Sequence, residues 1–287
     1  MGADILTAMR DGMGGFSKGQ KRIAAYILES YDKAAFLTAS KLGQAAQVSE
    51  STVVRFAMEL GYEGYPEMQK ALQEILRTRL TSVQRVEAAN TQFADQDVVS
   101  MVIQSDIRTL QRTAEILDRE ALDAAVDAIV SAKKVYIVGA RSSSTIASFL
   151  NFYLRIMLDR VQLVASTASS EMLEQLMHSG EGDVVIGISL PRYSRRTVSA
   201  MQYVKSGGGR LVAITDSLQA PIARIADHIL LAKSEMVSFV DSLVAPLSVV
   251  NALVVAISRK LGKELSESLT DLEKLWADYD IYENIDV

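Results

Sequence analysis

The chain has 287 residues, 49% hydrophobic and 23% charged, with a formal net charge of −5. That is length enough for two domains with separate cores, and the composition of a globular protein rather than a disordered or fibrous one. Cysteine is absent and the only histidines are His178 and His228, so disulfides and thiolate metal sites are excluded, and no carboxylate cluster offers a metal site in their place.

The first residues, MGADILTAMRDG, lack the basic stretch and apolar core of a signal peptide. A first helix is predicted from Ser17, where Ser17-Lys18-Gly19-Gln20 fits a capping box, with Ile23, Ala24, Ile27 and Leu28 along its inner face. Thr38 or Ser40 opens the next helix, in which Leu42, Ala45 and Ala46 face the core and the small alanines allow close helix crossing. After a tight turn, Ser49 is an N-cap for a further helix. In that helix Val53, Phe56, Ala57 and Leu60 point inward, while Ser51, Val54, Arg55 and Met58 fall on the opposite face. A helix, a tight turn and a second helix with a bare polar face form the arrangement that places a helix in the DNA major groove. A helical hairpin buried in a larger bundle would share the same spacing. The breaker-rich Gly61-Tyr62-Glu63-Gly64-Tyr65-Pro66 ends this pair, and a helix from Pro66 to Arg79 closes an all-helical unit, residues 1–79.

A polar stretch with weak patterning follows, and residues 80–105 are expected to be a linker or an exposed helix extension. From Lys133 the rhythm changes. Short β-branched runs at 135–138, 161–164, 184–188, 211–214 and 229–231 alternate with amphipathic stretches at 145–158, 170–178 and 195–205. Near-continuously apolar strands separated by helices predict a three-layer α/β sandwich with a five-stranded parallel sheet over residues 106–287. Gly207-Gly208-Gly209 precedes a strand and reads as a helix C-cap and turn. His178 is expected to end a helix and His228 to start a strand. The most apolar run, 243–257, is broken by Pro246, Ser248 and Asn251, is too short to cross a bilayer, and reads as a buried helix. The aromatic residues Trp276, Tyr279 and Tyr282 near the end predict a helix docked on the domain body or on a neighbouring subunit.

Two strand ends carry chemistry. Gly139-Ala140-Arg141-Ser142-Ser143-Ser144 lies between a strand and a helix, and its hydroxyls and free helix N–H groups suit an anion. Ser189-Leu190-Pro191-Arg192-Tyr193-Ser194-Arg195-Arg196-Thr197, also between strand and helix, places three arginines within five residues. Serines that merely cap helices beside solvated arginines are the competing reading of either loop alone.

At these residues the chain resembles a known family. Leu42, Ala45, Val48-Ser49, Ser51-Thr52-Val53-Val54-Arg55-Phe56, Leu60-Gly61-Tyr62 and Gly64-Tyr65-Pro66 resemble the helix-turn-helix domain of RpiR-type bacterial transcription regulators. The second half is similar to the SIS (sugar isomerase) domain, which in that family senses small metabolites, commonly phosphorylated sugars. The usual Gly-x-Gly-x-Ser of the first SIS loop has Arg141 in place of its second glycine. The usual Ser-x-Ser-Gly-x-Thr of the second keeps hydroxyls at Ser189 and Ser194 but has Pro191 and Arg192 for its inner serine and glycine.

The resemblance implies a DNA-binding transcription regulator, and no catalytic residue, metal or cofactor is assigned. Residues 1–80 hold ten Lys/Arg against nine Asp/Glu, net +1, and the rest of the chain is at −6. With so little excess charge, binding to double-stranded DNA falls to a few placed cations and to a dimer presenting two copies. Ser49, Ser51, Thr52 and Arg55 are the expected base and phosphate readers, with Lys18, Lys21 and Lys70 as backbone contacts. An anionic metabolite, a sugar phosphate or a sugar acid, is expected at Arg141, Ser142, Ser143, Ser189, Arg192, Ser194 and Glu235. The expected assembly is a homodimer or tetramer through the SIS domain, cytoplasmic, on a pseudo-palindromic operator and with no membrane partner. The rival is a sugar-phosphate isomerase with Glu235 as its base.

Overall fold

The computed structural model describes residues 5–79, 81–93, 97–166 and 168–282. They form two compact units, one of residues 1–98 with 236–241, the other of residues 99–235 with 242–287.

The first unit is helical: α1 (Ile5–Gly12), α2 (Lys18–Glu29), α3 (Tyr31–Ala34), α4 (Ala39–Ala45), α5 (Glu50–Glu59), α6 (Tyr65–Arg79) and α7 (Ser82–Phe93). Each start is set locally. The capping box predicted at Ser17 is formed, its hydroxyl accepting from the Gln20 N–H while the Gln20 side chain accepts from the Ser17 N–H at 2.8 Å. Thr38 caps α4 and Ser49 caps α5. Ile23, Ile27, Leu42, Val53, Phe56, Met68 and Leu72 are fully buried in one core, with Phe16 edge-on to Phe56 at 5.2 Å. Tyr65 is buried there too. Its hydroxyl donates to the Leu37 carbonyl at 2.6 Å, and burial pushes its pKa up to about 12. Residues 236–241 join this unit: Met236 packs on its core, and Asp241 pairs with the buried Arg85 at 2.9 Å.

One expectation is corrected. Ala45 is exposed and does not mediate the α4–α5 crossing. Gly43 does: it is buried, and a Cβ there would stand 2.9 Å from the Val48 carbonyl oxygen and 3.3 Å from the Glu50 nitrogen. Backbone lies where a side chain would go, so α4 meets the turn through a glycine. The stretch expected as a linker or an exposed helix extension is helical where it is described, as α7 and the first turns of the following helix.

The second unit begins with α8 (Val98–Ile116) and α9 (Arg119–Val130). It continues β1 (Val135–Gly139), α10 (Ser143–Met157), β2 (Val161–Val164), α11 (Ser169–Glu174), β3 (Val184–Ile188), α12 (Arg195–Ser206), β4 (Arg210–Thr215), β5 (His228–Leu231), α13 (Val244–Leu261) and α14 (Lys263–Asp278). The five strands are parallel in the order β2-β1-β3-β4-β5. Side chains alternate between two cores. Val135, Ile137, Val184, Ile186, Val212 and Ile214 pack on one face with α9, α10 and α13; Tyr136, Val138, Val185, Leu211 and Ala213 pack on the other with α11 and α12. Both faces are covered, as near-continuous apolar strands require. Gly187 in β3 leaves room for Met201, whose sulfur would lie 2.1 Å from any Cβ.

One boundary moved. α13 runs to Leu261, so its length and hydropathy alone suit a membrane span. Val249, Val250, Leu253 and Ile257 are instead buried in the sheet-side core, as the reading of a buried helix expects. α14 buries only Leu265, and its aromatic end is not docked on the body: Trp276 meets Tyr282 edge-on, while Tyr279 and Tyr282 are exposed. Residues 283–287 lie outside the described residues.

Candidate DNA-reading and effector sites

The exposed face of α5 is small and polar at its N-terminal end. Ser51, Arg55 and Met58 are exposed, opposite the buried Val53, Phe56 and Ala57. Val54, expected outside, is half-buried against the core. Ser49 caps the helix through the Thr52 N–H, and its hydroxyl lies 2.9 Å from that of Ser51 and 2.8 Å from that of Thr52. Arg55 donates from Nε to the Ser51 carbonyl at 3.4 Å, which lays its stem along the helix. The start of α2 abuts the same end, since a Cβ on Gly19 would lie 3.3 Å from the Thr52 methyl. Two capped helix N-termini therefore converge, with exposed Lys18 and Lys21 on the first turn of α2. Such an end favours a phosphate, and the exposed α5 face beside it offers a hydroxyl and a guanidinium to base edges. Lys70 is exposed on the separate helix α6.

Reading the sequence alone missed Arg22. It is exposed and donates to the Gln47 carbonyl at 3.2 Å, and Gln47 holds the left-handed backbone of the turn, φ 55°. A basic residue one turn into α2 was the available signal, but nothing local ties it to a turn 25 residues on.

In the second unit the strand order reverses between β1 and β3, the switch point where open α/β sheets bind ligands. Gly139 pairs with Ile188, so the two loops singled out by sequence leave the sheet side by side, one strand spacing apart. In the first, Gly139 has no room for a Cβ, which would stand 2.6 Å from the Ser143 carbonyl oxygen. Arg141 follows with φ 57°, the left-handed conformation that suits glycine, and its carbonyl accepts from both the N–H and the hydroxyl of Ser144. Arg141 and Ser142 are exposed, Ser143 is buried, and Ser142 makes no capping bond to α10.

In the second loop the two retained hydroxyls shape the backbone. Buried Ser189 accepts from the Ser194 N–H at 3.2 Å, and Ser194 caps α12 through the Thr197 N–H. Thr215, at the end of β4, donates to the Ser189 carbonyl at 2.7 Å. Leu190 and Pro191 are buried and Arg192 is exposed. Tyr193 donates to the buried Asp216 carboxylate at 2.9 Å, and Lys233 donates to the Asp216 carbonyl at 3.1 Å.

Glu235 stands apart from both loops in its bonding. Its carboxylate accepts from Arg112 in an ion pair and from Ser105 at 3.3 Å, both on α8. Asp216, Lys233 and Arg112 were not singled out by sequence. A charge directly after the apolar run of β4 was the signal for Asp216; Arg112 is 123 residues from its partner and gave none. His178 lies exposed in the turn after α11, and His228 opens β5.

Residues 3–79 match the helix-turn-helix domain of the rpiR family, and residues 128–256 match the SIS domain. The sugar isomerase domain of an RpiR transcription factor from Sphaerobacter thermophilus is 32% identical, with a TM-score of 0.59, over 62% of this chain and 99% of that one. The HTH-type transcriptional regulator HexR of Pseudomonas aeruginosa is 23% identical over 280 residues, 94% of this chain and 95% of HexR. The NanR protein of Vibrio vulnificus, solved in complex with ManNAc-6P, shares the fold across 98% of this chain and its own full length, with a TM-score of 0.60 at 22% identity. With a helix-turn-helix unit whose reading face is bare and a five-stranded parallel sheet behind it in the chain, this protein belongs to the rpiR family of helix-turn-helix transcription regulators that carry a SIS domain.

Proposed function

We propose that the protein regulates a carbohydrate or related catabolic operon in response to an anionic metabolite, a sugar phosphate or sugar acid, held at the β1/β3 switch point. One observation carries this reading: two arginine-bearing loops, one with Arg141 and one with Arg192, leave adjacent strands at the place where such sheets bind ligands. Arginine offers a planar fork that matches phosphate and carboxylate, and it replaces glycine in both loops. Ser142 and Ser143 at the start of α10 supply the remaining polar groups beside Arg141.

The DNA side uses Arg55 for base reading with Ser51, and Ser49, Thr52, Lys18 and Lys21 for phosphates, in a homodimer or tetramer on a pseudo-palindromic operator. Lys70 is a further backbone contact. The effector regulates only if it binds the DNA-competent and incompetent arrangements unequally. Isomerase chemistry is disfavoured because Glu235, the carboxylate placed to act as base, is already ion-paired with Arg112. In the intact protein Glu235 contributes to the effector site through that pair.

The test is calorimetric titration of the full chain with a panel of sugar phosphates and sugar acids, repeated on Arg192→Ala. A ligand that binds the parent and loses most of its affinity in the variant supports the reading. Unchanged affinity removes Arg192 from the site.

A further inference from the structure

This inference rests on the effector reading above and concerns how the second loop holds its arginine. In the pattern this chain departs from, a glycine and hydroxyls let the loop wrap an anion with its own backbone. Here the loop is tied down by bonds and burial along most of its length. Ser189 is fixed by the ladder bond of its N–H to Ile214 at 3.2 Å and by Thr215 on its carbonyl. Leu190 and Pro191 are buried, Tyr193 is bonded to Asp216, and the Ser194 N–H is bonded to the Ser189 hydroxyl. Of these six residues Arg192 is the exposed one, between a buried proline and a tethered tyrosine. Asp216 is itself fixed, because Lys233 holds its carbonyl and the Lys233 N–H is bonded to Thr113 of α8 at 2.9 Å.

We infer that Tyr193 and Asp216 are positioning residues: their bond turns the loop from an adaptable anion nest into a rigid bracket that presents Arg192 to the effector. A long arginine side chain on a mobile loop would lose much of its bonding energy to ordering, and a fixed backbone removes part of that cost. The bracket therefore compensates for the loss of the glycine nest.

The experiment uses amide relaxation and side-chain Nε–Hε spectra of the full, deuterated chain, with inorganic phosphate as the probe. In the parent, the Arg192 amide is expected to be as ordered as the sheet, with S² about 0.85. Tyr193→Phe, which keeps the ring and removes only the donor, is expected to lower that order and to raise the phosphate dissociation constant about five- to tenfold. Asp216→Asn keeps an acceptor and is expected to stay near the parent, while Asp216→Ala is expected to follow Tyr193→Phe. Should Tyr193→Phe leave both order and affinity unchanged while Arg192→Ala abolishes phosphate binding, the bracket is refuted and the effector reading survives. Should neither phosphate nor a sugar acid added in the same titration perturb Arg192 in the parent, the effector reading itself fails.

Discussion

The two units each build a working turn around a residue other than glycine in the left-handed region, Gln47 at φ 55° and Arg141 at φ 57°. The first turn places α5, and the second opens the loop after β1. In both, the strained residue's carbonyl is gripped by a neighbour, Arg22 in one case and Ser144 in the other. The difference is what the strained side chain does. Gln47 lies in a turn whose purpose is to set the reading helix, so its identity is incidental. Arg141 is in the loop proposed to meet the ligand, so its identity is the point. A left-handed backbone costs an L-residue about 1–2 kcal/mol, and such a cost persists where surrounding structure enforces it.

The comparison can be broken most severely at Gly43. Adding a methyl there drives it into the Val48 carbonyl, and Gly43→Ala is expected to destabilise the first unit by about 2–3 kcal/mol. A lowered melting transition with loss of DNA binding is the expected result. Next in size, Arg55→Ala is expected to weaken specific DNA binding by about 1–3 kcal/mol with stability unchanged, read by fluorescence anisotropy on selected duplexes. Lys18→Ala and Lys21→Ala should instead lower affinity across all sequences and flatten its salt dependence.

A smaller effect in the first unit depends on pH. The Tyr65 pKa is raised by burial above its unfolded value near 10, so the stability this neutral phenol gives is complete below pH 10 and is lost as pH rises toward 12. Tyr65→Phe is expected to cost about 1 kcal/mol at neutral pH through the bond to Leu37. It should also remove that alkaline loss from the first unit, measured by denaturant melts at pH 8 and pH 11. Smallest in stability but sharpest for the comparison are Gln47→Gly and Arg141→Gly. Each is expected to change stability by no more than about 1 kcal/mol, since relief of strain offsets the entropy of glycine. Gln47→Gly should leave DNA binding intact, and Arg141→Gly should weaken anion binding.

What could be read from the sequence follows the reach of each interaction. The caps at Ser17 and Ser49 and the buried stripe of α5 involve residues three or four apart, and they were legible. The five parallel strands were legible as apolar runs between helices, but their order, β2-β1-β3-β4-β5, was not. Ala45 was misplaced because a seven-residue helix has too few positions to fix its inward face, and the backbone contact at Gly43 leaves no hydrophobic signal. In the proposed effector site, the two loops were visible as polar breaks after apolar strands. Their supports were not: Tyr193 reaches Asp216 across 23 residues, and Glu235 reaches Arg112 across 123. The hydroxyls of Ser189 and Ser194, expected as ligand groups, also accept backbone N–H bonds within the loop, which the sequence did not reveal.

The most direct test is the affinity of the full chain for its selected operator, measured with and without added sugar phosphates and sugar acids, in the parent and in Arg192→Ala. The account predicts that at least one such anion shifts operator affinity several-fold in the parent, and that Arg192→Ala binds the operator normally but no longer responds. An operator affinity indifferent to every anion in the panel, or a full response in Arg192→Ala, would contradict it.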